Sequence, residues 1–334
     1  MIAVRAVGTW LPDTRETLAD ALADGRIGEA EAQRSGYVSV PVAGPELPGP
    51  VLAAHAARRV LDAAGADPAR IGTLLHAWTT YQGHDLWSPP HFVADRVGAR
   101  AALPVGVRQL SNGGAAALEL AAGRLALDPG STVLVTTGDR FCPPGFDRWR
   151  SDRGLVHADA GTAMLLAADP APGDAWLVRG VASASAPELE GMHRGDDPFG
   201  TARQEQGPTI DLARTKKAFF ARHSREAFTA TASDRAREVV TTALRRAGVD
   251  PARVRYLALP RVGRLAFEIY QPVFAGITPA EVVDLGGRTG HLGAGDLLAN
   301  LADLHPMLAP GEVAAVFNGG GGYSWTAVVA ERTA

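Results

Sequence analysis

At 334 residues the chain is long enough for two domains, or two fused halves, around a sizeable core. With 46% hydrophobic and 21% charged residues it has a globular balance, and a formal net charge of −3 excludes a general affinity for nucleic acid. A single cysteine, Cys142, excludes a disulfide framework and a cysteine-based metal site; the absence of a membrane-length apolar run or a secretory signal points to a cytoplasmic protein with no membrane partner.

Ile2 to Val7 alternates like a first strand, and Thr14 to Ser35 is polar and Ala-rich, a helix with loops. Four prolines make Pro41 to Pro50 a loop. Val51 to Ala64 is patterned as a helix that ends at Gly65-Ala66-Asp67-Pro68, before a strand over Ile71 to Trp78. Pro89 to Val97 reads as a helix with its prolines at the start, where they are tolerated. Val107 to Gly114 reads as a strand end, a tight turn and a helix start, with Gly113 and Gly114 letting the backbone turn sharply. Ala115 to Leu127 follows as a helix apolar on nearly all faces, and so buried. Thr132 to Thr137 is a buried strand, Thr162 to Ala167 another, and Gly173 to Thr209 is polar and loop-rich. Thr215 to Arg246 is helical. A strand near Tyr256, a helix near Leu265, a strand near Val282, a helix from about Leu292 and strands over Val313 to Phe317 and Trp325 to Ala330 complete the chain.

This alternation predicts an α/β fold with mostly parallel sheets. It also repeats. Ala64-Gly65-Ala66-Asp67-Pro68-Ala69-Arg70-Ile71 recurs as Ala247-Gly248-Val249-Asp250-Pro251-Ala252-Arg253-Val254, and Pro129-Gly130 before a strand recurs as Pro310-Gly311 at nearly the same offset. Two related halves, 1–172 and 173–334, are therefore expected. The same offset carries Ser111, at the turn before the first buried helix, to Gly290-His291-Leu292, again at a turn before a helix. The two turns are expected to face each other.

By itself Ser111 is a helix cap, since Ser is a favoured capping residue. Facing His291 it becomes a nucleophile, because a hydroxyl needs a base and an imidazole titrates near neutrality. Asp296, five residues on, is placed to fold back and fix the imidazole tautomer, giving a Ser–His–Asp relay. The run Asn318-Gly319-Gly320-Gly321-Gly322-Tyr323 allows backbone N–H groups to approach an oxyanion, or is simply a flexible turn. Gly286 to Gly295 superficially resembles a dinucleotide fingerprint, but its spacing and downstream acid do not fit. The nine histidines show no metal spacing, so no metal site is expected. Arg214 to Arg225, with Phe219 and Phe220, is a solvated basic helix face or a surface for an acidic carrier.

Over essentially its whole length the sequence resembles the ketoacyl-ACP synthase III family. Ser111-Asn112-Gly113-Gly114 falls on that family's Cys-x-Gly turn, and His157-Ala158-Asp159-Ala160-Gly161-Thr162-Ala163 is similar to its Gly-Asp-Gly-Ala-Gly-Ala stretch. Phe317 to Trp325 is similar to its Phe-Gly-Gly-Gly-x-Thr-Trp. The resemblance implies a thiolase-like fold, two pseudo-symmetric halves in a five-layer α-β-α-β-α arrangement. The departures fall at the chemistry: Ser111 replaces the cysteine, Arg261-Val262-Gly263-Arg264 replaces the His-Gln-Ala-Asn segment, and His291 replaces the asparagine.

With the usual His and Asn gone, the resemblance points to a diverged branch of antibiotic pathways that holds acyltransferases and serine-bearing starter-unit proteins. It implies Ser111 as the acylated nucleophile, His291 as the base, Asp296 as its orienter, and the N–H groups of Ser111 and Gly321 as the oxyanion hole. It places Leu86 and Trp87 near the acyl pocket across a homodimer, and Arg261 and Arg264 are expected to contact CoA or the carrier. The expected activity is transfer of an acyl group from acyl-CoA or acyl carrier protein to a small-molecule hydroxyl or a carrier. No cofactor is expected beyond CoA or phosphopantetheine as the substrate's carrier. Starter-unit selection for a type II polyketide synthase is the alternative, and a silent carrier-docking partner a third.

Overall fold

The computed structural model describes residues 1–202 and 204–333. Its first half runs through β1 (Ile2–Trp10), β2 (Arg15–Thr17), α1 (Leu18–Ala23), α2 (Glu29–Ser35), β3 (Ser39–Pro41), α3 (Gly49–Ala63) and β4 (Ile71–Ala77). It continues through α4 (Pro89–Val97), β5 (Leu103–Val107), α5 (Gly113–Leu127), β6 (Thr132–Asp139) and β7 (Ala160–Ala167). The second half holds β8 (Trp176–Ser185), α6 (Gly191–Arg194), α7 (Leu212–Phe220), α8 (Arg225–Ala247), β9 (Val254–Ala258) and α9 (Gly263–Tyr270). It ends with β10 (Glu281–Val283), α10 (Asp296–Leu304), β11 (Val313–Gly320) and β12 (Ser324–Arg332).

Among the described residues ten strands join in the order β5-β4-β6-β7-β1-β8-β12-β11-β9-β10. The plan is the same from either edge. The outer two pairings of each set, β5–β4–β6 and β10–β9–β11, are parallel, and the inner two, β6–β7–β1 and β11–β12–β8, are antiparallel. The sets meet through three antiparallel pairs, Ile2–Val178, Ala3–Leu177 and Val4–Trp176. The repeated Asp-Pro-Ala-Arg has one local structure twice over: Asp67 and Asp250 accept from the N–H of Ala69 and Ala252 at 2.9 Å and cap one-turn helices before β4 and β9.

Side-chain alternation along the strands builds the layers. Met164 and Leu166 of β7 face a central core with α5 and α10, while Ala163 and Leu165 face an outer core with α3 and α4. Val328 and Ala330 of β12 face the same central core, while Ala327 and Val329 face an outer core with α8. The order is helices, strands, α5 with α10, strands, helices: the five-layer thiolase-like arrangement. Strands buried on both faces read as continuous apolar runs for this reason. Among the described residues no helix is long and apolar enough to cross a membrane.

Four expectations need correction. The large sheet is not mostly parallel: four of its pairings are parallel and five antiparallel, because β7, β1, β8 and β12 each run back against their neighbours. Trp176–Ser185 is a ten-residue strand inside the stretch expected to be loop, paired with β1 and β12. The helix expected over Thr215 to Arg246 is two, interrupted before Ser224, whose hydroxyl accepts from the Ala227 N–H and starts α8. Gly113 and Gly114 are not the sharp turn: Gly113 is helical at φ −59°, and the left-handed residue is Leu110 at φ 48°. The glycines serve packing. A Cβ on Gly114 would stand 2.6 Å from the Ala294 carbonyl and 2.9 Å from the Leu298 side chain.

Candidate active site

α5 and α10 run from two turns that meet in the central layer. Ser111 stands on the first, in a one-turn helix over Leu110–Asn112, directly after the left-handed Leu110. That conformation costs a non-glycine residue on the order of 1–3 kcal/mol and is held by its surroundings. Asn318, buried at the end of β11, donates from its amide to the Ser111 carbonyl at 2.9 Å. Asn112 behind it donates to the hydroxyls of Ser324 and Thr326 on β12 at 3.2 and 3.0 Å. The Ser111 turn is thus tied to the glycine-rich hairpin. A Cβ on Gly320 would lie 2.5 Å from the Asn112 nitrogen, so glycine is what allows the approach.

Ser111 Oγ and His291 Nε2 are 2.7 Å apart, and His291 Nδ1 lies 2.6 Å from Asp296 Oδ2. Both His291 and Asp296 are buried and Ser111 is half-buried. The second Asp296 oxygen accepts from the Leu292 N–H at 2.8 Å, and Oδ2 also accepts from the Arg261 N–H at 2.8 Å. Three contacts therefore fix one carboxylate, which requires the proton of neutral His291 on Nδ1 and turns the Nε2 lone pair to the serine hydroxyl. Burial by itself would lower the His291 pKa, but the Asp296 charge and hydrogen bond outweigh it and the net shift is upward. Burial would raise Asp296, yet His291, Arg261 and the Leu292 N–H bring it below its ordinary value.

Several contributors carry no sequence motif that singles them out. Asp139, at the end of β6, is buried and holds both sides together: Oδ1 accepts from the N–H groups of Thr79 and Thr80 at 2.7 Å, and Oδ2 from that of Ala294 at 3.0 Å. His157 packs its ring 5.0 Å from that of His291. His193, on α6, lies over Gly321: a Cβ there would come within 2.1 Å of its ring. Only the end of an apolar strand at Asp139, and the family-like stretch around His157, hinted at either.

Gly321 sits in the hairpin turn between β11 and β12, with the Leu110 side chain 3.0 Å from where its Cβ would be, so it borders the Ser111 turn. Arg261 departs from its expected place. It is 1% exposed, and its guanidinium donates to Asn300 Oδ1, the Leu285 carbonyl, Thr289 Oγ1 and Asp303. Its charge is consumed inside the C-terminal half and is not presented to CoA or a carrier. Arg264 is exposed at the start of α9. Leu86 is fully exposed, at φ 47°, and Trp87 packs on His84 and Phe92 at the surface. Within this chain neither joins the cluster around Ser111.

No family model matches the sequence, and no curated protein matches it. Solved structures do. The acyltransferase ChlB3 shares 28% identity at a TM-score of 0.90, over 99% of this chain and 98% of that one. The 3-oxoacyl-(acyl carrier protein) synthase III FabH of Pseudomonas aeruginosa shares 20% identity at a TM-score of 0.77, over 100% and 98%. AbyA1, a tetronic acid condensing enzyme, shares 20% at 0.78, over 99% and 100%. The chain shares the thiolase fold of these ketoacyl-ACP synthase III-like structures, end to end.

Proposed function

We propose that this protein is an acyltransferase that works through an acyl ester on Ser111. The 2.7 Å and 2.6 Å contacts of the Ser111–His291–Asp296 chain carry this reading. His291 Nε2 takes the Ser111 proton as Oγ attacks the thioester carbonyl of acyl-CoA or an acyl carrier protein. The resulting oxyanion lies toward the N–H groups of Ser111 and Gly321. Collapse breaks the C–S bond, and His291 returns its proton to the leaving sulfur. An acceptor then binds, His291 takes its proton, the acceptor attacks the ester, and the proton ends on Ser111 Oγ. CoA or phosphopantetheine is the substrate's carrier, and the cycle uses no cofactor.

Halves 1–172 and 173–334 supply the nucleophile and the His–Asp pair respectively, in a cytoplasmic homodimer of a biosynthetic pathway. The likeness to ChlB3 supports acyl transfer over condensation. So does Arg261, which takes the place of the family's decarboxylating histidine and turns its side chain away. A small-molecule hydroxyl is the favoured acceptor, since an ester is less activated than a thioester and transfer to a thiol runs uphill.

The test is intact-mass analysis after incubation with propionyl-CoA. A gain of one acyl group is expected, absent in Ser111→Ala and in His291→Ala. No adduct on the unaltered protein overturns the covalent reading, and an adduct that persists in His291→Ala removes that residue as the base.

A further inference from the structure

His157 has no task in the mechanism above, yet it stands beside its base. It is 5% exposed. It pairs with His291 in an isolated parallel bridge, where opposed residues project to the same side of the two strands. The two rings meet edge to face at 5.0 Å, and Phe141 and Phe146 wall the imidazole at 4.6 and 4.8 Å. Its backbone is fully engaged: its N–H donates to the Arg148 carbonyl at 3.4 Å and its carbonyl accepts from the Arg148 guanidinium at 3.1 Å, while on either side the Ala158 N–H donates to the His291 carbonyl at 2.8 Å and the His291 N–H to that of Val156 at 2.9 Å. Nδ1, by contrast, is buried without a hydrogen-bond partner. Buried polar atoms are nearly always satisfied, and an exception calls for a reason. Burial first, and then the neighbouring His291, push its pKa well down and outweigh an opposing interaction with the Leu155 backbone, so the ring is neutral at pH 7.

We infer that His157 is a substrate-binding residue, whose Nδ1 hydrogen-bonds a hydroxyl that the substrate carries beside the reacting atoms. In a neutral imidazole Nδ1 either donates or accepts, according to tautomer. A hydroxyl answers both, whereas a thiol is weak at both. The 5.0 Å between imidazoles suits a hydroxyl one or two carbons from the centre that His291 serves. The Phe141 and Phe146 rings offer cover for the attached hydrocarbon. Two sources share this chemistry: an acyl group with a 2-hydroxyl, and an acceptor with two adjacent hydroxyls. The inference rests on the acyl-enzyme reading.

The experiment compares matched pairs in the full chain. Loading of Ser111 is timed with lactoyl-CoA against propionyl-CoA, and the propionyl-enzyme is offered propane-1,2-diol against propan-1-ol. The readout is the ratio within each pair, which a general loss of rate does not mimic. A preference of about three- to tenfold for the hydroxylated partner is expected in one arm, the size of one neutral hydrogen bond. His157→Phe should erase it, and His157→Asn should keep part of it. The arm that responds assigns the hydroxyl to the acyl group or to the acceptor.

No preference in either arm, or one that survives His157→Phe, overturns the inference while the adduct itself stands. No propionyl adduct at all overturns the acyl-enzyme reading and this inference with it. Should His157→Phe not fold, the imidazole ¹⁵N resonances of Ser111→Ala decide. A His157 signal that moves with propane-1,2-diol or lactoyl-CoA, and not with their matched partners, supports the inference; one that moves with neither sinks it.

Discussion

On the proposed acyl-ester route Ser111 gains nucleophilic character only while His291 is neutral, and the Asp296 charge and hydrogen bond hold the His291 pKa above its ordinary 6.5. The loading rate should therefore rise with pH through an apparent pKa above 6.5, the histidine having to lose its proton before it can take one from the serine. Asp296→Asn removes the anion. Its maximal rate should fall about 10²–10⁴-fold, the range expected when a base loses its orienter. The rising limb should also shift to lower pH, because the imidazolium has lost its counter-charge. Rapid-quench loading across pH 5.5 to 9 measures both, at roughly half-unit steps. A limb that stays in place in Asp296→Asn would remove Asp296 as the source of the shift. The proximity of Ser111, His291 and Asp296 was legible from residue type and from the internal repeat. Asp139, Asn318 and His157 were not, since a buried polar residue at the end of an apolar strand declares no partner until distant strands are brought to it.

At the scale of elements, the site depends on how closely α5 and α10 approach. Helix propensity says that replacing a helical glycine by alanine stabilises by up to about 1 kcal/mol. Gly123 of α5, with nothing within 4 Å of an added Cβ, should obey. Gly114 should do the opposite: its Cβ would strike the Ala294 carbonyl at 2.6 Å, and forcing a methyl into packed surroundings costs about 1–3 kcal/mol. Urea unfolding of Gly114→Ala and Gly123→Ala should therefore give shifts of opposite sign; equal shifts would mean that the two central helices do not pack this tightly. The helix over Pro89–Val97 was readable because its capping glycine and initial prolines act locally. β8 was not: Trp176–Ser185 mixes apolar and small residues in a polar neighbourhood, and it is a strand because β1 and β12 satisfy its backbone on both sides.

At the scale of the whole molecule, one edge of the ten-stranded sheet is unfinished. β5 pairs with β4 on one side, and beside its open side Leu103 is 59% and Val105 37% exposed. An exposed apolar edge strand is a pairing surface that a monomer would ordinarily protect. Leu86, on the loop after β4, is a further fully exposed apolar side chain. The expected arrangement is a homodimer closed along β5, a symmetric contact in which the same strand would serve each subunit. Sedimentation at about 10 μM should show a dimer, with Val105→Lys displaced toward monomer. A monomer in the unaltered protein would refute the arrangement.

The sequence by itself determined the α/β class, the doubled plan and the meeting of the turns that carry Ser111, His291 and Asp296. Periodicity and local capping are short-range properties, and internal repetition is a comparison of the chain with itself, so all three are written into the order of residues. Tertiary structure alone decided that Leu110, not the glycines, makes the sharp turn, that Gly114 is there for helix contact, and that Arg261 is turned inward. It alone placed a second imidazole, His157, beside the first. Each of these depends on which atoms arrive from elsewhere in the chain to fill or leave open the space around a side chain, and neither spacing nor residue type encodes that.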